Sequence, residues 1–233
     1  MQITLNQTNT NYSTPKFGAR APIIRNTEKI CRLINSEFPE ISSTKISEFD
    51  KTKEIKRFQS FANYIYCKLA KNVRDQAWSV YNEANPENFY IKLVELVKAN
   101  KVANCGDFSK LCNLICKING INSKKCELSL ISPTGRISGG IDHAIHAFQI
   151  DNKQLPIFQK LGDAKNTIII DPWLGFVDFA PNCEIKFKSE YNKFFQIPEG
   201  YHIALNTGGF GEPEIPPESI EKLRKRFPNF ILK

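Results

Sequence analysis

The sequence predicts an α+β protein, and three observations lead to that class. Apolar residues recur at three- and four-residue steps from residue 28 to about 118, which indicates helices. Short apolar runs separated by turn residues follow from 124 to 205, which indicates strands. Because the helices precede the strands instead of alternating with them, we expect an antiparallel sheet with helices packed against it. A chain of 233 residues with 41% hydrophobic content can bury one sizeable core, so we expect a single domain over 28–233.

The helical part, residues 28–118, divides into four predicted helices. The first is a short amphipathic segment around Ile30 and Ile34 that ends near Pro39, and the second covers roughly 53–81. Asn85 and Pro86 have the residue types of a cap and a first helical position, and they predict a third helix through Val97. A fourth helix is expected from Cys105 to Ile118, where Asn119 and Gly120 end it.

The sheet part, residues 124–205, contains five predicted strands in a meander. They are expected at residues 126–132, 141–150, 167–171, 176–179 and 201–205. A long loop is expected at 151–166, and a further loop holds Cys183, a thiol with no assigned role. Residues 216–227 are predicted to form a short basic helix that closes the chain.

The ends of the chain carry most of the positive charge. Residues 1–27 contain three basic and no acidic side chains, and this polar segment predicts a disordered leader. Residues 218–233 contain five basic and two acidic side chains, so most of the formal net charge of +8 lies outside the core. We therefore expect no nucleic-acid partner, although the two ends could make weak electrostatic contact with an anionic membrane.

The sequence also limits the cellular compartments in which we expect the protein. It has no run of about 20 apolar residues, so no transmembrane segment is expected. It has no apolar signal-peptide core either, and the seven cysteines lack the paired C-x-x-C spacing of a zinc site. We expect reduced cysteines, no metal and no cofactor, in a cytoplasmic protein or one exported by a non-classical route for which the leader is the signal. The abundance of Ile, Asn and Lys favours a bacterial source.

Cys105 is the strongest candidate for a catalytic nucleophile. It stands at the predicted start of a helix, where free N–H groups and the helix dipole favour a thiolate. Gly106 beside it would let a substrate backbone approach closely. Cys112 and Cys116 follow at the spacing of the buried face of the same helix, so they are expected in the core.

A thiol nucleophile needs a base, and two of the three histidines lie on one predicted strand. His143 and His146 should point to opposite faces, so only one can face Cys105. His143 lies near the strand's start, after residues 138–140, which we expect to be mobile. His146 is mid-strand and is the less likely base. Asp171 ends another predicted strand, where its carboxylate could orient an imidazole.

These segments resemble the transglutaminase-like branch of the papain-like thiol hydrolases. The resemblance rests on N-C-G-D-F-S at Cys105, on D-H-A at His143 and on I-I-D-P-W around Asp171, in that chain order, and it covers roughly residues 85–180. It implies a papain-like core with Cys105 as nucleophile, His143 as base and Asp171 as orienter. Trp173 would pack beside the site.

The implied activity is hydrolysis of an amide or peptide bond in a protein or peptide substrate, as in a peptidase, a deamidase or a secreted effector. Two alternatives remain open: transglutaminase-type acyl transfer, and a catalytically inactive binding module of the same fold. Asn104 is a candidate second donor of the oxyanion hole beside the Cys105 N–H. Asp107 departs from an ideal site, because a carboxylate pointing inward would oppose a thiolate.

Overall fold

A computed structural model describes residues 21–38, 68–151, 153–208 and 212–232, and it has the α+β architecture. The chain forms helices first and then a six-stranded sheet whose neighbouring strands are all antiparallel. The predicted leader up to residue 20 and most of the predicted second helix lie outside these ranges. None of the helices within the described part has the length and apolar character needed to span a bilayer.

Four helices precede the sheet in the described part of the chain. They are α1 (Ala21–Glu37), a helical stretch over 68–78 termed α2, α3 (Glu87–Asn100) and α4 (Cys105–Ile118). Helix α4 is the central one: from Asp107 to Cys116 every residue is buried, because it packs against other helices and against the sheet. A helix enclosed in this way holds its first residue, Cys105, in a fixed position.

The sheet has the order β3-β6-β1-β2-β4-β5. The strands are β1 (Lys124–Ile131), β2 (Ile137–Gln149), β3 (Phe158–Lys160), β4 (Thr167–Asp171), β5 (Phe176–Phe179) and β6 (His202–Asn206). Strands β1, β2, β4 and β5 form the predicted meander. The prediction of a meander is wrong for the last strand. Strand β6 pairs with the free side of β1 and does not extend the sheet beyond β5.

The remaining helices follow β5 and β6. Helix α5 (Ala180–Ser189) and the short α6 (Asn192–Phe195) lie between the two strands, and α7 (Pro217–Arg226) is the predicted basic helix. Alternate residues of the central strands supply two hydrophobic cores. Phe148, Ile168 and Ile170 pack with α1, α3, α4 and α7, whereas Ile145, Ala147 and Ile169 pack with α5.

Helix α1 begins at Ala21, so the predicted leader boundary at residue 27 is too late. Ile23 and Ile24 pack against the first core, and Thr27 is fully buried with its hydroxyl donating to the Ile23 carbonyl at 2.7 Å. This start was not predicted because Arg25 and Asn26 follow the two isoleucines and no acidic residue marks the first turn.

Three further segments differ from the prediction. Residues 138–140, expected to be mobile, belong to β2, and Gly139 and Gly140 pair with β1. The predicted loop 151–166 contains β3 and a 3-10 turn at Leu161–Asp163. The predicted loop thiol Cys183 is instead a fully buried residue of α5, a helix whose first turn contains Pro181.

Candidate active site

Cys105 is the first residue of α4, and a reciprocal pair of hydrogen bonds fixes that helix start. The Asn104 side-chain oxygen accepts from the Asp107 N–H at 3.1 Å, and the Asp107 carboxylate accepts from the Asn104 N–H at 3.0 Å. This capping box satisfies two backbone donors that a helix start otherwise leaves free. Cys105 itself is half-buried, and it lies in the first turn of the helix, where backbone N–H groups lack intrahelical acceptors.

Arg74 of α2 neutralises the acid of this capping box. Its Nη1 atom lies 3.3 Å from both carboxylate oxygens of Asp107, whose side chain is fully buried. Burial raises the pKa of Asp107, and the Arg74 cation offsets that effect only in part. The carboxylate therefore points to Asn104 and Arg74, so the expected conflict between Asp107 and a thiolate at Cys105 is relieved by a matched cation.

An irregularity in β2 presents His143. Glu127 of β1 pairs with Ala144 of β2, but the next residue, Leu128, pairs with Ile141, so residues 142 and 143 have no partner in β1. Such bulges bend a strand and redirect a side chain, and they are frequent next to active sites. The His143 side chain leaves the strand at this point and lies close enough to the Cys105 side chain for the two to interact electrostatically.

Asp171, the last residue of β4, holds the other side of the imidazole. Its Oδ2 atom lies 2.6 Å from Nε2 of His143, and both side chains are at most 1% exposed. Its Oδ1 atom accepts from the Leu174 N–H at 2.9 Å, which fixes the carboxylate plane. Because Asp171 occupies Nε2, the ring nitrogen left for Cys105 is Nδ1.

The charge state of His143 follows from these contacts. Burial disfavours the imidazolium, but the Asp171 carboxylate and, to a lesser extent, the Cys105 side chain raise the pKa of His143 to about 10. At neutral pH the His143 imidazole is therefore protonated, and its charge is stabilised chiefly by the Asp171 carboxylate. An imidazolium beside a cysteine is an arrangement that can activate a sulfur nucleophile.

Aromatic rings enclose the imidazole. Trp173 and Phe195 each place a ring centroid 5.1 Å from that of His143, and Phe187 lies at 6.2 Å. These rings keep water from the His143–Asp171 hydrogen bond, and in a water-poor environment that bond is electrostatically stronger. The predicted packing role of Trp173 fits this position, whereas Phe187 and Phe195 come from α5 and α6, which the sequence argument did not predict.

His146 belongs to a different environment. Its Nδ1 atom lies 3.1 Å from the Ser123 hydroxyl, and its Nε2 atom lies 3.4 Å from Glu212. The two histidines of β2 thus face different partners, and the structure places His143 rather than His146 beside Cys105. Within the described ranges, no three His, Cys, Asp or Glu side chains are arranged to hold a metal ion.

The remaining predicted site residues are close to Cys105 but differ in what they can do. The Asn104 side-chain oxygen is committed to the helix cap, so only its amide nitrogen is left as a donor for an oxyanion hole. At Gly106, a Cβ atom would come within 3.2 Å of the Asn104 side-chain oxygen, so this glycine leaves room for the cap as well as for a substrate. The five other cysteines within the described ranges are buried: Cys31, Cys112, Cys116, Cys126 and Cys183.

Arg74 and Phe195 lie next to the site but were not predicted to do so. Arg74 is one of many basic residues on an amphipathic helix, and nothing in its local sequence indicates a buried partner at Asp107. The S/T/N-x-x-D/E pattern from Asn104 to Asp107 was visible, however, and it predicts a capping box.

Comparisons with protein-family models, with curated proteins and with solved structures each find no significant match. The chain is therefore assigned to no family by these comparisons, and the argument for function rests on the geometry of its residues.

Proposed function

We propose that the protein is a cysteine hydrolase with a papain-like core, in which Cys105, His143 and Asp171 form a catalytic triad. The observation that carries the proposal is the 2.6 Å hydrogen bond between the buried His143 imidazole and the buried Asp171 carboxylate, with the half-buried Cys105 among the groups that raise the pKa of His143. A nucleophile at a helix start, with base and orienter on adjacent antiparallel strands, supports the resemblance to the transglutaminase-like branch. Protein or peptide substrates are the class this chemistry serves.

The proposed reaction follows from the positions of the groups. The Cys105 thiolate attacks the carbonyl carbon of an amide, and a C–S bond forms while the first-turn N–H groups of α4 stabilise the oxyanion. His143 donates its proton to the departing nitrogen as the C–N bond breaks, which leaves a thioester. Water then loses a proton to His143 and attacks the thioester, and the acid and the free thiol are released.

The first test is the reactivity of the thiol. We expect iodoacetamide to modify Cys105 of the wild-type protein faster than it modifies glutathione at pH 6–7, because the imidazolium stabilises the thiolate. Cys105→Ala should abolish this fast labelling, as judged by peptide mass spectrometry. Cys126→Ser is the control, because it removes a buried cysteine and should leave the fast labelling unchanged. Labelling of the wild type no faster than of glutathione would refute an activated nucleophile.

The second test is turnover. Incubation with a mixed peptide library should generate new amino termini if the protein is a peptidase, or free ammonia if it is a deamidase, and Cys105→Ala should generate neither. Cross-linked peptides instead of hydrolysed ones would favour acyl transfer. A fast-labelling thiol with no turnover of any kind would support the inactive binding module.

A further inference from the structure

An ion pair between α2 and the start of α4 lies beside the proposed nucleophile, and no step of the proposed reaction uses it. The guanidinium of Arg74 places its Nη1 atom 3.3 Å from each carboxylate oxygen of Asp107. The Asp107 side chain is fully buried, whereas that of Arg74 is 24% exposed. Asp107 follows Cys105 by two residues in the first turn of α4, about 3 Å further along the helix axis. The pair is therefore close enough to the thiol to affect its ionisation.

The packing of α2 directs Arg74 towards this acid. Ala70, Val73 and Ala77 are each at most 2% exposed and belong to the first core. Their spacing of three and four residues places them on one face of the helix, and Arg74 lies beside that face. The guanidinium is thus held next to Asp107 by the packing of a helix as well as by its own ion pair.

A second cation, Lys110, faces Asp107 from α4 itself, but several acceptors share it. Its ammonium donates to the Gly106 carbonyl at 3.2 Å, and it is attracted to the carboxylate of Glu212 as well as to that of Asp107. Burial raises the pKa of Asp107, and the attraction of Arg74 opposes this rise more strongly than that of Lys110. Arg74 is therefore the main cation that keeps the buried carboxylate charged.

The charge of Asp107 stabilises the helix start and at the same time opposes a thiolate. An ionised carboxylate is a stronger acceptor for the Asn104 N–H, and this hydrogen bond of 3.0 Å fixes the residue before Cys105. Without a cation, the same negative charge would disfavour a thiolate in the same turn of helix. A guanidinium on the carboxylate resolves this conflict, because the cap keeps its charged acceptor while the ion pair has no net charge.

We propose that Arg74 is a positioning residue of the catalytic site, which acts through Asp107 to fix the start of α4 and to shield Cys105 from the charge of that carboxylate. This role rests on the proposed function of Cys105 as a nucleophile. Through this contact α2, which contributes no member of the triad, affects the reactivity of the thiol.

The rate at which iodoacetamide alkylates Cys105 tests this role. We expect Arg74→Met to slow alkylation about tenfold at pH 7, because it leaves Asp107 either as an uncompensated anion or as a protonated, weaker acceptor. Lys71→Met is the matched control on the same helix. Lys71 is exposed and pairs with the exposed Asp75, so its loss should leave the rate within about twofold. Equal rates in wild type and Arg74→Met would overturn the role of Arg74.

The double variant Arg74→Met/Asp107→Asn separates the effect of charge from a loss of packing. An asparagine at position 107 has no charge to neutralise and still offers an oxygen to the Asn104 N–H. Because both partners of the ion pair are then neutral, the rate should return to within about threefold of the wild-type value. A double variant that stays as slow as Arg74→Met would show that Arg74 only supports the packing of α2, and the proposal would be wrong.

The carboxyl pKa of Asp107 gives a readout that does not involve the thiol, and NMR of the carboxyl carbon from pH 3 to 9 measures it. Arg74→Met should raise this pKa by about one unit or more, since a cation at hydrogen-bond distance favours the charged form. An unchanged pKa would overturn the proposal even if Cys105 is reactive. If the pKa rises as expected but the wild-type thiol labels no faster than glutathione, the proposed function fails, and the positioning role fails with it.

Discussion

At the scale of single residues, the candidate site depends on the charge of Asp171. This carboxylate is the main group that raises the pKa of His143, and no other acid contacts the imidazole among the residues described. Asp171→Asn keeps the shape of the side chain but removes its charge. Without that charge the imidazolium loses its principal stabilising partner, so less of the protein holds the proton on His143 at neutral pH.

We therefore expect Asp171→Asn to slow alkylation of Cys105 by iodoacetamide roughly ten- to a hundredfold at pH 7, within the range that proton-transfer groups contribute. The rate should be measured from pH 5 to 9. Asp163→Asn is the control, because Asp163 is an exposed aspartate in the turn after β3. Equal alkylation rates in wild type and Asp171→Asn would mean that Asp171 does not support the thiol.

The raised pKa of His143 also predicts how stability changes with pH. The imidazole has a pKa of about 10 in the folded protein against 6.5 as its ordinary value, so the folded state binds more protons between these limits. The contribution of His143 to the free energy of unfolding is thus complete below pH 6.5 and decreases as the pH rises toward 10. Urea unfolding of wild type and His143→Gln should show their difference shrinking across this window. A difference that grows with pH would contradict the assigned charge state.

At the scale of secondary-structure elements, the start of α4 depends on its cap. Asn104→Ala removes the acceptor for the Asp107 N–H, and loss of such a cap costs about 1 kcal/mol of stability. Asn104→Ser restores an acceptor, so it should recover most of that loss. The free energy of unfolding in urea measures both. If the alanine and serine variants are equally stable, the side-chain cap does not stabilise α4.

The elements also show which parts of the fold were predictable. Helix α4 and strands β4 and β5 have the predicted bounds, because their apolar pattern is uninterrupted and clear turn residues flank them. Helix α5 was not predicted because its buried residues, Ala180, Cys183, Glu184 and Phe187, include a charged one, which weakens the apolar pattern of the segment. Packing against the sheet stabilises the helical form of α5, and the local sequence contains no signal of that packing.

The candidate site was predictable to a different degree. Cys105 and Asp171 could be named because they stand at the ends of their elements, and His143 because few histidines are available as a base. The irregular pairing at residues 142 and 143 could not be foreseen, since it arises from the register of β1 against β2. Glu212 was likewise hidden, because its partners Ser109 and His146 are distant in sequence and meet only in the folded chain.

At the scale of the whole molecule, the C-terminal segment ties the helical layer together. Phe230 is 1% exposed and contacts the rings of Phe38 and Phe227. Arg224 donates to the carbonyl of Ile118 at the end of α4, with Nη2 at 2.7 Å. The last residues therefore belong to the first core, although they are far from it in sequence.

We expect Phe230→Ala to lower the free energy of unfolding by about 3–5 kcal/mol, as for other buried phenylalanines. Ile231→Ala is the neighbouring control: Ile231 is 43% exposed, so its truncation should cost less than about 1 kcal/mol. Urea titration followed by circular dichroism compares them. Similar losses in both variants would show that the C-terminus is not anchored through Phe230.

Most basic side chains of α7 make contacts with other helices in the folded molecule. Lys222 pairs with Glu87 at 2.5 Å and Arg226 with Glu95 at 3.0 Å, while Arg224 binds the end of α4. Three of the four basic side chains of α7 thus hold α3 and α4. The predicted membrane contact of this end stays untested, but these contacts reduce the charge that is free to make it.

The short outer strands of the sheet affect how the protein behaves at high concentration. Strand β3 has three residues and β5 has four, so each edge of the sheet presents only a few unpaired backbone groups. A second copy that added its own edge there would gain few hydrogen bonds, and extended stacks of sheets need a long, flat edge as a template. The geometry of the sheet therefore disfavours ordered self-association through its native edges.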